Sequence, residues 1–166
     1  IWHHAELGYK EVRTAGKYCE WMKKLGLENE EGWAITGVKT YLNPKGSTEG
    51  PTLAGMGEMD ALPIPNNKDA WNGNSHCCGH NAQLTGVVGA ALALTDPEVK
   101  AALGGNICFM AVPAEEFVDI TFKNQLMKQG KLNYGGGKCE LIRVGAMDDI
   151  DIALCHHTQA GCDMSI

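Results

Sequence analysis

The residues best suited to chemistry lie around Cys78, where positions 75–80 read Ser-His-Cys-Cys-Gly-His. Downstream, Glu115–Glu116 supplies adjacent carboxylates and His156–His157 supplies adjacent imidazoles. Thiolate, imidazole and carboxylate groups are the ligands that hold zinc and related divalent ions. Of two neighbouring acids, one can bind a metal while the other transfers protons. These residue types predict a metal-dependent hydrolase, or a piece of one.

Cys78 and His80 are separated by a single residue, Gly79, on a predicted loop. Alternate residues of an extended segment point the same way, so both side chains can face one metal, and a thiolate can also bridge two ions. Taken alone, the triplet is equally compatible with a buried cysteine beside a surface histidine. His76 and Cys77 are competing ligands of lower rank.

Glu115 and Glu116 follow a predicted strand and a proline. Two carboxylates there repel each other, and burying either without a cation is costly. A metal would remove this conflict if one acid ligates it and the other takes a proton from water. The alternative is a solvated helix start, where acids interact favourably with the helix dipole.

Two further strand ends carry polar side chains. Glu58 and Asp60 lie on the same side of one strand end, where Asp60 is placed to orient a ligating imidazole. The alternative is a capped turn leading into 63–65. At the other strand end, His156 and His157 must point to opposite faces, so only one of them is expected in the site.

Hydrophobic spacing and turn residues place these groups on an α/β sandwich. Every candidate residue follows a predicted strand, which is where open α/β sheets place their sites. We predict helices near 5–25, 82–94, part of 117–130 and 138–144, and strands near 33–42, 52–57, 106–112 and 151–155.

The amino-acid composition argues against several classes of partner and of fold. The 166 residues suit one domain, and the net charge of -6 argues against nucleic-acid and anionic-membrane partners. No apolar run approaches the roughly 20 residues that span a bilayer. Seven cysteines, an odd number, favour a reducing, cytoplasmic environment over a disulfide scaffold. The first and last residues lack the features of natural termini, so we expect a fragment.

The motifs together resemble the M20 family of metallopeptidases and amidohydrolases. The similar subgroup includes aminobenzoyl-glutamate, hippurate and indole-acetyl-amino-acid hydrolases. The resemblance runs in order through residues 2–9, 59–64, 78–81 and 113–116, and it ends at the strand-end His157.

This resemblance implies a three-layer α/β/α zinc-peptidase-like catalytic domain, with a mixed sheet and helices on both faces. It also implies a role for each matching residue. Cys78 would bridge two divalent ions, His80, Glu116 and His157 would be further ligands, Glu115 would be the general base and acid, and Asp60 would orient a ligand.

The activity implied is cleavage of an amide bond in an N-acyl-amino-acid or aminoacyl conjugate, with metal-bound hydroxide as nucleophile. Two ions per intact site are expected, manganese or zinc, with cobalt and nickel as further options. The partner is a small amide or a short peptide-like substrate. Nucleic acid and membrane are not expected as partners.

The resemblance also bears on domain organisation. Residues 1–166 would form the N-terminal part of the catalytic domain, without the lid domain that mediates homodimerisation and without the C-terminal catalytic segment. Gln83 stands where the subgroup usually has histidine, Glu58 where aspartate is frequent, and His156 where the residue varies. A non-catalytic or degraded metal-binding homologue therefore remains the alternative. A thiol redox role for Cys77–Cys78 is disfavoured because adjacent cysteines form strained disulfides.

Overall fold

Two apolar runs form the centre of a five-stranded sheet in this computed structural model, which describes residues 1–159. Their backbone hydrogen bonds are satisfied by neighbouring strands on both sides, so the runs can be buried. In chain order, the strands are β1 (Asn29–Trp33), β2 (Gly37–Tyr41), β3 (Thr52–Glu58), β4 (Asn106–Val112) and β5 (Ile152–Cys155).

The sheet is mixed, with the strand order β1-β2-β4-β3-β5. β1 and β2 form an antiparallel hairpin, and β2 is also antiparallel to β4. β3 lies parallel to both β4 and β5. The carboxyl ends of these three parallel strands therefore meet at one edge of the sheet.

Helices cover both faces of the sheet. They are α1 (Val12–Lys24), α2 (His80–Leu94), α3 (Pro97–Ala102), α4 (Ile120–Lys128) and α5 (Gly137–Arg143). On one face, α1 and α2 pack on the sheet around Met22, Leu84 and Phe109. On the other, α5 packs through Leu141 against Met110. The predicted α/β/α layering is confirmed.

The first helix begins later than its hydrophobic spacing predicts. The spacing indicated a helix from residue 5, but α1 begins at Val12. Tyr9 has a positive φ of 62°, which interrupts a right-handed helix. The Glu6 carboxylate then accepts hydrogen bonds from the amides of Arg13 and Thr14, at 3.0 and 2.8 Å, and so caps the helix start.

Two elements were not predicted from the sequence. β1 has the polar sequence Asn-Glu-Glu-Gly-Trp, and it forms because β2 offers it a hairpin partner. α3 is short and begins at Pro97, with the Asp96 side chain accepting from the amides of Glu98 and Val99. None of the helices in the described residues is long and apolar enough to cross a membrane.

Candidate metal centre

Four segments meet at the carboxyl edge of the parallel strands. β3 ends in Glu58 and leads into Asp60, β4 leads into Glu115, and β5 leads into His157. The fourth segment is the first turn of α2, which supplies His80. The shared edge follows from the parallel arrangement of the strands.

His80 is the centre of this group and is fully buried. Its Nδ1 lies 2.9 Å from the main-chain oxygen of Asp60 and 3.2 Å from the carboxylate Oδ1 of the same residue. Its Nε2 lies 3.1 Å from Oε2 of Glu58 and 3.8 Å from Oε2 of Glu115. An imidazole held on its Nδ1 side presents Nε2 to a ligand.

The carboxylates around His80 favour a positive charge at its position. Burial lowers the pKa of His80, but hydrogen bonding to Asp60 and the charges of Asp60 and Glu58 outweigh it and raise the pKa to about 9. Buried like charges repel each other unless a cation lies between them. An imidazolium at His80 meets this need in the metal-free protein, and a metal ion would meet it when bound.

Cys78 and His157 complete the cluster on its other side. Sγ of Cys78 lies 3.2 Å from Nε2 of His157, and the rings of His80 and His157 meet edge-on with centroids 5.7 Å apart. Nδ1 of His157 lies 2.7 Å from the main-chain oxygen of Thr158. A proton on Nδ1 would donate to this oxygen and leave Nε2 free to ligate.

A glycine allows the two segments to approach. Gly79 precedes α2 with a φ of 106°, a conformation that side-chain-bearing residues rarely adopt. A Cβ at this position would collide with the side chain of Thr158. The Thr158 hydroxyl also donates to the main-chain oxygen of Cys78 at 3.2 Å. The Gly79 path thus lets the end of β5 lie against the Cys78 loop.

The donor atoms fit a divalent metal. Ligand atoms of Cys78, His80 and His157 all lie within 4.8 Å of one another, and the same holds for Glu58, His80 and Glu115. Nε2 of His80 is buried and makes no hydrogen bond within the described residues, although Oε2 of Glu58 lies 3.1 Å away. An unpartnered buried nitrogen beside thiol and carboxyl groups is what a metal ligand requires.

The Glu116 carboxylate lies outside both of these groups. Its main-chain amide donates to Oδ2 of Asp60 at 2.8 Å, which fixes the backbone beside the cluster. Burial raises the pKa of the Cys78 thiol to about 12, and hydrogen bonding to Glu116 and its charge contribute. Glu116 is therefore a neighbour of Cys78, and its role as a ligand stays a prediction.

Glu115 is the most accessible acid of the cluster, with its side chain 37% exposed. Burial and the charge of Glu58 raise its pKa. Its Oε1 lies 3.9 Å from the ammonium group of Lys138, which also pairs with Glu58. Sequence reasoning missed Lys138, because it lies 80 residues from its partner Glu58 and only the fold brings the two together.

The paired histidines follow β5 and point in different directions. The His156 ring lies against Gly86 of α2, where an added Cβ would be 2.8 Å from its Nε2, whereas His157 faces Cys78. His76 is buried, and neither of its ring nitrogens has a partner in the described part of the chain. It lies in neither group of candidate ligands.

Residues 54–160 match the model of peptidase family M20/M25/M40. The chain belongs to this family. A thermostable carboxypeptidase of Saccharolobus solfataricus is 33% identical over 95% of the chain, and an IAA-amino acid hydrolase of Arabidopsis thaliana is 35% identical over 70%. These matches span 37% and 27% of the two relatives, so the M20 chain corresponds to less than half of each.

A solved structure supports the same assignment. The M20-family peptidase of Bacillus subtilis, described as a dinuclear metal-binding protein, superposes with a TM-score of 0.68 at 26% identity. The match covers 92% of this chain and 38% of the other. The likeness and the clustered donor groups support divalent metal binding in this M20 chain.

Proposed function

We propose that the protein hydrolyses an amide bond in an N-acyl-amino-acid or aminoacyl conjugate, using divalent metal ions. The observation that carries this proposal is the grouping of Cys78, His80 and His157, whose ligand atoms lie within 4.8 Å of one another beside Glu115. Thiolate, imidazole and carboxylate donors at one sheet edge suit a metal with open positions for water and substrate.

Each residue has one task in this proposal. Cys78 would hold the divalent ions through its thiolate, and His80, His157 and Glu116 would be the further ligands. The buried Asp60 orients His80, since its carboxylate and main-chain oxygens both lie beside Nδ1. When bound, divalent metal supplies Lewis-acid chemistry, which lowers the pKa of a coordinated water and polarises a carbonyl group.

Glu115 moves the proton. Its carboxylate accepts a proton from the attacking water as the water oxygen forms a bond to the carbonyl carbon. The carbon–nitrogen bond then breaks, and Glu115 returns the proton to the leaving amine. Its partial exposure allows substrate access, while its 3.8 Å separation from Nε2 of His80 keeps it next to the ligands.

The relatives support the substrate class. One is named a carboxypeptidase and another an IAA-amino acid hydrolase, and both names denote cleavage of a peptide or amide bond to an amino acid. Manganese and zinc are the proposed ions, with cobalt and nickel as alternatives. The described residues would form the N-terminal part of a larger catalytic domain, and homodimerisation through a lid domain and a cytoplasmic location remain expectations.

Glu115→Gln tests the proposal in the longest natural form of the protein. The amide cannot accept the proton from water, so kcat should fall by at least about a hundredfold. Manganese binding, measured by calorimetry, should stay within a few-fold of the wild type because Glu115 is not a proposed ligand. Substrates would be a panel of N-acyl-amino acids, assayed with manganese, zinc and cobalt.

The matched control is Glu20→Gln, which removes the same charge from an exposed position on α1 paired with Lys17. Its kcat should equal that of the wild type. Undiminished turnover in Glu115→Gln would remove Glu115 from the proton-transfer role. A wild-type protein that binds metal but hydrolyses nothing in the panel would instead favour the non-catalytic homologue.

A further inference from the structure

The backbone immediately before Glu115 has an unfavourable conformation. Ala114 is fully buried and has a positive φ of 47°, although it is not a glycine. The left-handed region is unfavourable for a residue with a Cβ, because the Cβ crowds the following carbonyl oxygen. Such a conformation persists only where surrounding contacts enforce it. This turn sets the direction in which Glu115 and Glu116 leave β4.

A buried carboxylate from a distant part of the chain holds the turn. Glu11 is 0% exposed and lies at the start of α1, 103 residues before Ala114. Its Oε1 accepts a hydrogen bond from the Ala114 amide at 2.8 Å, and its Oε2 accepts one from the Thr36 hydroxyl at 2.6 Å. Glu11 thus ties the turn to both α1 and the β1–β2 connection.

Other contacts hold the two sides of the same turn. The amide of Gly137 donates to the main-chain oxygen of Ala114 at 2.9 Å, and the buried Lys123 ammonium donates to that of Glu116 at 2.5 Å. Gly8 packs so closely that a Cβ there would lie 2.7 Å from the Ala114 methyl group. Among the described residues, Glu11 is the acceptor for the Ala114 amide.

We propose that Glu11 is a positioning residue that holds the Ala114 turn and so aims Glu115 at His80. The catalytic consequence rests on the proposed function, whereas the effect on the turn does not. The hydrogen bonds that the Glu11 carboxylate accepts come from Thr36 and Ala114 and not from a proposed ligand, so it acts through the main chain of Ala114. Another side chain that places a hydrogen-bond acceptor at the same point should therefore preserve the function of Glu11.

Three variants of the longest natural form test this role. Glu11→Ala should lower kcat by at least about tenfold with little change in KM, since one lost hydrogen bond corresponds to roughly that factor. Glu11→Gln keeps an acceptor for Ala114 and should retain at least half of kcat. Adding Ala114→Gly to Glu11→Ala should restore much of kcat, because glycine adopts positive φ without a Cβ penalty.

Hydrogen exchange provides a readout without activity. In the metal-free protein, the Ala114 amide should exchange at least about tenfold faster in Glu11→Ala than in Glu11→Gln. The control is Asn106→Ala, which removes a buried side chain that accepts from the amides of Asn43 and Ile107 at the opposite end of β4. It should lower stability but leave exchange at Ala114 and kcat near wild-type values.

Two results would overturn the positioning role. One is unchanged exchange of the Ala114 amide in Glu11→Ala. The other is a loss of kcat in Glu11→Ala that Asn106→Ala reproduces and Ala114→Gly does not relieve. If the wild type hydrolyses nothing, the proposed function fails, and the exchange rates still decide whether Glu11 holds the turn.

Discussion

Gln83 joins two strand ends through its side-chain amide. It is fully buried on α2, its oxygen accepts from the amide of Glu58 at 2.8 Å, and its nitrogen donates to the main-chain oxygen of His156 at 2.6 Å. An amide is both acceptor and donor, so one side chain satisfies both groups. Gln83, one of the residues that depart from the subgroup pattern, therefore connects β3 to β5 beside the candidate metal centre.

Replacing Gln83 with leucine should destabilise the protein. Leucine fills a similar volume but leaves the Glu58 amide and the His156 oxygen unpaired, at about 1–3 kcal/mol each. We expect the free energy of unfolding in urea to fall by about 2 kcal/mol or more. Gln125→Leu, on the exposed side of α4, should change it by less than about 0.5 kcal/mol. Equal effects of the two variants would show that Gln83 contributes no such link.

The buried carboxyl group of Glu11 should make stability depend on pH. Burial raises its pKa from 4.5 to about 7, even though hydrogen bonds from Thr36 and Ala114 favour the ionised form. The folded pKa lies above the unfolded one, so the neutral acid stabilises the fold. This stabilisation is complete below pH 4.5 and is lost as the pH rises through about 7.

Glu11→Gln isolates this contribution, because glutamine does not titrate. Relative to wild type, the variant should become more stable as the pH rises from 4.5 to above 7, by up to about 3 kcal/mol. Urea unfolding of both proteins at several pH values measures the difference, in which the titration of unrelated groups cancels. A difference that does not change with pH would show that Glu11 titrates normally.

At the level of secondary structure, the strands with continuous apolar sequences were predicted accurately. The run at 106–112 matches β4 at both ends, and the run at 52–57 misses only the last residue of β3. The first helix was placed seven residues too early, because the positive φ of Tyr9 interrupts the periodic segment and Glu6 caps α1 from the part that is not helical. Local patterns do not report a cap supplied by the preceding loop.

Asp60 and His157 were recognisable because they come shortly after strand ends. Cys78 and His80 were recognisable from their residue types, but the expectation that they follow a strand was wrong, since they lie at the end of the long loop between β3 and α2 and in the first turn of α2. Lys138 and Glu11 were not, because their contacts join residues that are about 20 to more than 100 positions apart. Such contacts depend on how the elements pack, which periodicity alone does not reveal.

A second cluster of charges connects β2 to the segment between α5 and β5. Lys39 on β2 has a side chain only 1% exposed, and its ammonium donates to Asp149 and to the main-chain oxygen of Ala146, both at 2.7 Å. Tyr41 donates to the other carboxylate oxygen, and Lys45 lies 3.0 Å from it. Asp149 thereby anchors the segment between α5 and β5 to β2.

Removing this anchor should be costly. Asp149→Ala leaves the buried Lys39 ammonium without its carboxylate, so we expect a loss of about 3 kcal/mol in the free energy of unfolding. Asp148→Ala, at the exposed neighbouring position, should cost less than about 0.5 kcal/mol. Chemical denaturation of the two variants distinguishes these outcomes, and comparable losses would mean that the Asp149 contacts add little stability.

The fold of the whole molecule brings metal-binding and acidic side chains together from distant parts of the chain. The sheet brings together segments near residues 58–60, 78–80, 115–116 and 157, and it does so at the edge where three parallel strands end. Glu58, Asp60 and Glu115 add negative charge around the His80 ring. The fold thus provides both donor atoms for a cation and the negative charge that attracts it.

The central claim is that Cys78, His80 and His157 bind divalent metal. X-ray absorption of the zinc-loaded protein measures this directly, because sulfur and nitrogen ligands lie at about 2.3 and 2.0 Å. We expect a sulfur shell in the wild type that disappears in Cys78→Ser and persists in the matched, exposed Cys77→Ser. A wild-type spectrum with only nitrogen and oxygen ligands, or a sulfur shell retained in Cys78→Ser, would contradict the account.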